Sequence, residues 1–224
     1  HIKSIKSNLK FNDEKVNLKS ISELEPNDLL GRNEIKDHSI NFEARLKDET
    51  ILVTGAGGSI GVEICKQLIN NKVKKLIILD HNEFALYEIE KKLLYELKVR
   101  NTKILIYAVL ADVKNKESLI KVFKTYKIDV VYHAAAYKHV PLVEENICEG
   151  VKNNVFSTLA VAQASVIKKI SNLVLISSDK AVRPTNIMGA TKRLSELCLQ
   201  GLYEDNKNNI TNFSIVRFGN VLDS

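Results

Sequence analysis

At 224 residues the chain is long enough for one large domain, and a composition 45% hydrophobic and 27% charged is that of an ordinary soluble globular protein. The net charge of +6 comes from scattered lysines with no basic block interleaved with aromatics, so no nucleic-acid groove is expected and the charge is read as a solvated surface compatible with anionic nucleotide substrates. No apolar run approaches the ~20 residues that span a bilayer. Cys65, Cys148 and Cys198 lack CxxC spacing, which excludes a disulfide framework or zinc site and leaves them as reduced core residues of a cytosolic protein, with no metal expected.

In chain order, residues 1–48 are polar and read as an irregular N-terminal arm anchored at Ile21-Ser22-Glu23-Leu24 and Asp28-Leu29-Leu30-Gly31-Arg32. From residue 49 the pattern alternates between short apolar runs and longer helical periodicity. The runs predict strands at 51–53, 75–80, 104–109, 130–133, 173–177 and 213–218. The periodic stretches predict helices at 59–70, 83–99, 115–126, 142–169 and 188–204. Such alternation requires crossover connections, hence an α/β fold: a Rossmann-like, doubly wound parallel sheet with helices on both faces over 49–224, preceded by the arm.

Gly55, Gly57, Gly58 and Gly61, with Ser59 and Ile60, fill the turn between the first strand and first helix. Glycine lets backbone approach a pyrophosphate, and a helix N-terminus offers unpaired N–H groups and a positive dipole end. This strand–turn–helix context predicts a dinucleotide site. Asp80 ends the second strand, where a carboxylate accepts from ribose hydroxyls and repels a 2′-phosphate. His81-Asn82-Glu83 supplies no arginine for such a phosphate, so NAD is expected rather than NADP. Asp112 and Val113 are placed to meet the adenine ring, with a helix N-cap as the rival role for Asp112. Ala134, Ala135 and Ala136 follow the fourth strand and either admit the cofactor ribose or form a close-packed turn. Lys138 and His139 come next and are placed to meet a substrate or diphosphate, with a satisfied loop residue as the rival role for His139.

The GxxGxxG spacing resembles the extended short-chain dehydrogenase/reductases. Five strings resemble, more specifically, the nucleotide-sugar 4,6-dehydratases of bacterial polysaccharide and glycan biosynthesis: TGAGGSIG at 54–61, HAAAYKHVPLVE at 133–144, NNV at 153–155, SSDKAVRPTNIMGATKR at 177–193 and RFGNV at 217–221. DLLGR at 28–32 resembles the segment preceding the catalytic domain in the large membrane-anchored members. The resemblance implies an enzyme acting on a UDP-sugar, UDP-N-acetylglucosamine above others. Its reaction oxidises C4, removes water across C5 and C6 and returns the reducing equivalents, so that NAD is regenerated. It also implies a homo-oligomer, and a cytoplasmic domain whose parent is anchored in the inner membrane, of which this chain, opening on His1, is a piece.

Matched to the family pattern, Asp179 is the acid at C6 and Lys180 the base at C5, which requires the carboxyl's pKa raised and the amine's lowered. A surface ion pair before Pro184 is the competing role. Ser177 and Ser178 are expected near nicotinamide and sugar, or as caps of the next turn. Asn154 matches a structural or water-relay asparagine, and Asn220 a sugar-pocket residue. Lys192 matches the lysine of Tyr-x-x-x-Lys and serves cofactor and catalysis. The tyrosine position holds Met188, whose thioether exchanges no proton, a methionine that the membrane-anchored branch shares. The 4-hydroxyl proton is therefore expected to leave through Lys192, Lys180 or a water chain. Beyond Val221 the resemblance leads into a smaller part that grips uridine diphosphate, so the chain is expected to be a truncated catalytic core with little turnover alone. Two other functions stay open: a non-catalytic NAD-binding module, for which Met188 speaks and the Asp-Lys pair does not, and a nucleotide-sugar 4-epimerase, against which both count.

Overall fold

The computed structural model describes residues 3–5, 21–23, 46–71, 73–205, 210–219 and 221. The chain divides into two compact units, His1–Ile40 and Asn41–Ser224. In the first, β1 (Lys3–Ile5) pairs antiparallel with β2 (Ile21–Glu23). The segment read as irregular thus contains a short ladder, which three-residue strands are too brief to announce by alternation. Asp28–Arg32 lies outside the described residues.

The second unit is a six-stranded, wholly parallel sheet. Its strands are β3 (Thr50–Thr54), β4 (Lys75–Asp80), β5 (Leu105–Leu110), β6 (Val130–His133), β7 (Asn172–Ser178) and β8 (Asn212–Phe218), in the order β5-β4-β3-β6-β7-β8. Every residue of β3 is buried, as expected of a central strand covered on both faces. Side chains alternate between two cores. Leu52, Ile77, Leu79, Val131 and Leu173 pack on one face with Leu119, Phe123 and Val161; Ile51, Val53, Leu76 and Ile78 pack on the other with Cys65, Leu68, Ile89 and Leu93.

The helices are α1 (Ser59–Asn70), α2 (Glu83–Arg100), α3 (Lys116–Tyr126), α4 (Val140–Glu145), α5 (Ile147–Val151), α6 (Ser157–Lys168) and α7 (Ile187–Asp205). Asn82 and Asn115 start α2 and α3 by accepting the backbone N–H of Ala85 and Ser118. The helix predicted over 142–169 is in fact interrupted. α4 begins two residues earlier because Pro141 suits a first turn, the chain breaks at Asn146, and Lys152–Phe156 between α5 and α6 is π-helical. A π turn leaves carbonyls for other donors, and the Ser157 and Thr158 hydroxyls donate to the Asn153 and Asn154 carbonyls. No helix among the described residues is long and apolar enough to cross a membrane. The cysteines are free, but only Cys65 sits in the core; Cys148 is exposed and Cys198 half-buried, because α5 turns its cysteine away from the sheet.

Candidate active site

The strand order reverses between β3 and β6, and the crevice beyond their carboxyl ends is where open α/β sheets bind ligands. The turn after β3 is shaped by what glycine lacks. Gly55 has φ +66°, and a Cβ there would lie 2.6 Å from the Ala135 backbone; one on Gly61 would lie 2.1 Å from the Gly55 carbonyl oxygen. Gly58 caps α1 without a side-chain bond and the first turn carries no acid, so among the described residues no side chain caps the leading N–H groups. Asp80 is buried with one oxygen accepting the Gly57 N–H and the other the Asn82 N–H, each at 3.0 Å. Its carboxylate therefore braces the loop, with further lone pairs left over.

A cavity of about 860 Å³ opens beside this loop, within the range of nucleotide sites. Of the residues expected to form a site, Gly55, Gly58, Ser59, Ile60, Gly61, Ala134, Ala136, Lys138, His139, Ser178, Lys180, Met188 and Lys192 line it. Gly57, Asp80, Asp112, Val113, Ala135 and Asp179 do not. Val113 is buried in the core. Asp112 accepts the Lys114 N–H at 2.9 Å and pairs with its amine, while the cap of α3 falls on Asn115, so the rival N-cap role for Asp112 does not hold. Ala135 packs under Gly55, which fits the rival reading of a close-packed turn and leaves it off the cavity wall. Asn220 lies outside the described residues.

β7 ends in Ser177-Ser178, and a 3₁₀ turn, Asp179–Ala181, follows. The Ser178 hydroxyl accepts the Lys180 N–H and donates to Asp179 Oδ1 at 3.0 Å. That bond, with the nearby Lys180 charge, holds the Asp179 carboxyl below the usual range, against a smaller push from desolvation. Lys180 Nζ lies 3.5 Å from Asp179 Oδ1. The free site thus presents carboxylate and ammonium, the opposite of the protonation pattern the family roles require. The turn packs tightly on α7, since a Cβ at Gly189 would lie 2.2 Å from the Lys180 carbonyl oxygen.

Lys192 is buried and donates to the Ile176 carbonyl at 2.9 Å. Burial pulls its pKa down to about 8, against the opposing pull of Glu196. Met188, one turn earlier, is also buried, its carbonyl accepting the Thr191 hydroxyl. Behind them His133 bonds Thr54 through Nδ1 at 2.7 Å and Thr158 through Nε2 at 3.1 Å. Thr158 spends its hydrogen on the Asn154 carbonyl, so Nε2 donates and Nδ1 accepts from Thr54. Burial, then the Lys192 charge, pushes the His133 pKa down to about 3 and keeps the ring neutral.

Three features have no counterpart in the sequence reading. Glu196, fully buried, accepts from Ser177 at 2.6 Å, from Arg193 at 2.9 Å and from Arg217 through two nitrogens at 2.9 and 2.6 Å. Burial pushes its carboxyl up, but these donors prevail and take it to about 2. The four-residue step from Lys192 to Glu196 was the available signal. Leu142, Val143, Asn146, Glu149 and Gly150 line the cavity from α4 and α5, where a continuous helix gave no reason to expect a wall. Tyr137, the one aromatic in the run after β6, lines it too.

Among known proteins, the family model described as polysaccharide biosynthesis protein matches residues 51–224. Capsular polysaccharide biosynthesis protein CapD of Staphylococcus aureus is 45% identical over 205 residues, 92% of this chain and 33% of that protein. A UDP-glucose 4-epimerase of Rickettsia bellii is 33% identical and a UDP-N-acetylglucosamine 4,6-dehydratase (inverting) of Campylobacter jejuni 34% identical; each match takes in 79% of this chain and 50% of the relative. The solved structure of Pen from Bacillus thuringiensis superposes with a TM-score of 0.72 at 32% identity, over 80% of this chain and 54% of that one. The chain therefore spans about a third to a half of the length of these relatives.

Proposed function

The chain belongs to the polysaccharide biosynthesis protein family, and from that premise we propose that it forms the catalytic core of an NAD-dependent UDP-sugar 4,6-dehydratase. The observation that carries this reading is the Asp179–Lys180 pair on the turn after β7, with Lys180, the buried Lys192 and Met188 lining one nucleotide-sized cavity, the methionine standing where an epimerase of this fold would need a proton-exchanging side chain. UDP-N-acetylglucosamine is the substrate we favour, on the resemblance and the Campylobacter relative.

The N-terminus of α1 and the glycine cradle fit a pyrophosphate, and Asp80 with its leftover lone pairs fits the adenosine ribose. When bound, NAD supplies reversible oxidation at the sugar's C4. Lys192 takes the 4-hydroxyl proton, since an amine of pKa about 8 is partly neutral at physiological pH and titrates near the pH of use. Oxidation at C4 acidifies the C5 hydrogen. Asp179 needs a proton to act as acid, and the Lys180 ammonium lies 3.5 Å from its Oδ1. Transfer between them inside a dry, substrate-filled site turns an ion pair into a neutral acid and a neutral base, which low dielectric favours. Lys180 then removes the C5 proton while Asp179 protonates the departing C6 hydroxyl.

Incubating the full-length protein with NAD and UDP-N-acetylglucosamine and following the sugar by NMR tests this reading. A 4-keto-6-deoxy product is expected. Formation of the C4 epimer alone would assign an epimerase, and tight NAD binding without turnover a binding module.

A further inference from the structure

Position 188 leaves the reacting sugar hydroxyl without a phenol, yet a phenol enters the same cavity from another element. Tyr137 follows β6, lines the cavity and is 39% exposed, and its hydroxyl has no hydrogen-bond partner among the described residues. Its backbone is held from both sides by one side chain. Asn154, 1% exposed on the π turn, accepts the Tyr137 N–H at 2.7 Å and donates to the Tyr137 carbonyl at 3.0 Å. The same amide donates to the Thr191 hydroxyl at 2.9 Å, and that hydroxyl donates to the Met188 carbonyl at 2.7 Å. One buried amide thus fixes the Tyr137 loop relative to the first turns of α7, the turns that present Met188 and Lys192. All its polar atoms are engaged, since Asn153 donates to its remaining acceptor site at 3.3 Å.

A loop immobilised so thoroughly, carrying an aromatic side chain that the core does not bury, is built to aim that side chain. Resting on the dehydratase reading above, we propose that Tyr137 is a substrate-contacting residue whose phenolic hydroxyl hydrogen-bonds the sugar hydroxyl to be oxidised, in the cavity that Met188 and Lys192 also line. The phenol orients the hydroxyl, and the proton still ends on Lys192, so no second base is needed. The aromatic face also gives the apolar side of a pyranose ring a surface to lie on, beside Leu142 and Val143 from α4.

The test uses the full-length protein with tyrosine ¹³C-labelled at Cζ. The Tyr137 resonance is the one that Tyr137→Phe removes. Titrating UDP-N-acetylglucosamine without cofactor is expected to shift that resonance, and no shift at saturating sugar nucleotide overturns the proposal whatever the reaction is. In the loaded enzyme, Tyr137→Phe is expected to slow cofactor reduction by roughly a hundredfold, the size of a loss in orientation, with KM changed by less than about threefold. Undiminished cofactor reduction in Tyr137→Phe also overturns it. The wild-type product reports separately on dehydration: an epimer formed by a protein whose Tyr137 resonance shifts removes that reading and keeps the contact.

Discussion

On the proposed reading Asp179 and Lys180 act after oxidation at C4, which makes their variants diagnostic. Asp179→Asn and Lys180→Met are each expected to lower 4-keto-6-deoxy product formation by about 10²–10⁴-fold, while reduced cofactor still accumulates on adding sugar nucleotide. Absorbance of the reduced nicotinamide, followed with product NMR, separates the stages; loss of cofactor reduction in both variants would move the pair to the first step. The pair's place was legible in the sequence, since SSDKA follows a strand at the mouth of the crevice. Its charge state was not, because it depends on the Ser178 hydroxyl reaching Asp179 at 3.0 Å. Glu196 was hidden for a related reason: its donors come from β7, β8 and its own helix, and only the fold brings Ser177 and Arg217 together as register partners.

Among elements, α7 carries Met188 and Lys192 on one face and supports the Asp179–Ala181 turn through Gly189. Gly189→Ala would place a methyl 2.2 Å from the Lys180 carbonyl oxygen, and neither backbone can yield cheaply. The expected cost is about 1–3 kcal/mol of stability, read as a lower Tm, with a disproportionate loss of dehydration because Lys180 moves. Full activity in this variant would show that the turn tolerates displacement. The elements themselves were largely readable: strands fell within a residue or two of their predicted limits because the apolar runs are short and bounded by turn residues. The stretch 142–169 misled because its apolar spacing stays helical across Asn146, and a π turn changes the hydrogen-bond step without changing composition.

At the scale of the molecule, buried ionisable groups set how stability varies with pH. Glu196 titrates at about 2 in the fold against an ordinary 4.5, so its contribution is complete above 4.5 and lost as pH falls towards 2. His133, about 3 against 6.5, is neutral in the fold while the unfolded chain takes up a proton, so stability declines from pH 6.5 towards 3. Lys192, about 8 against 10.5, works in the same direction at the alkaline end: the unfolded chain keeps its proton longer, and stability rises between pH 8 and 10.5. Urea midpoints across this range are expected to climb with pH, and Glu196→Gln should flatten the segment between 2 and 4.5 while leaving the His133 segment in place. An unchanged acid limb in that variant would contradict the account.

The π turn at Lys152–Phe156 has a further consequence, for how this stretch can change in length. Each residue of an α-helix advances the chain by about 100°. A π turn takes in one residue more than an α turn for about the same rotation, so straightening it into regular α-helix without shortening it would swing one half of the helix about its axis relative to the other. With Asn154 kept on Tyr137, Val161 and Ala164 would leave the sheet; with those kept in the core, Asn154 would turn from the loop. Within Ile147 to Lys168 a single-residue insertion or deletion is therefore tolerated only where a π turn can form or relax, whereas the surface connections between strands and helices remain free to drift.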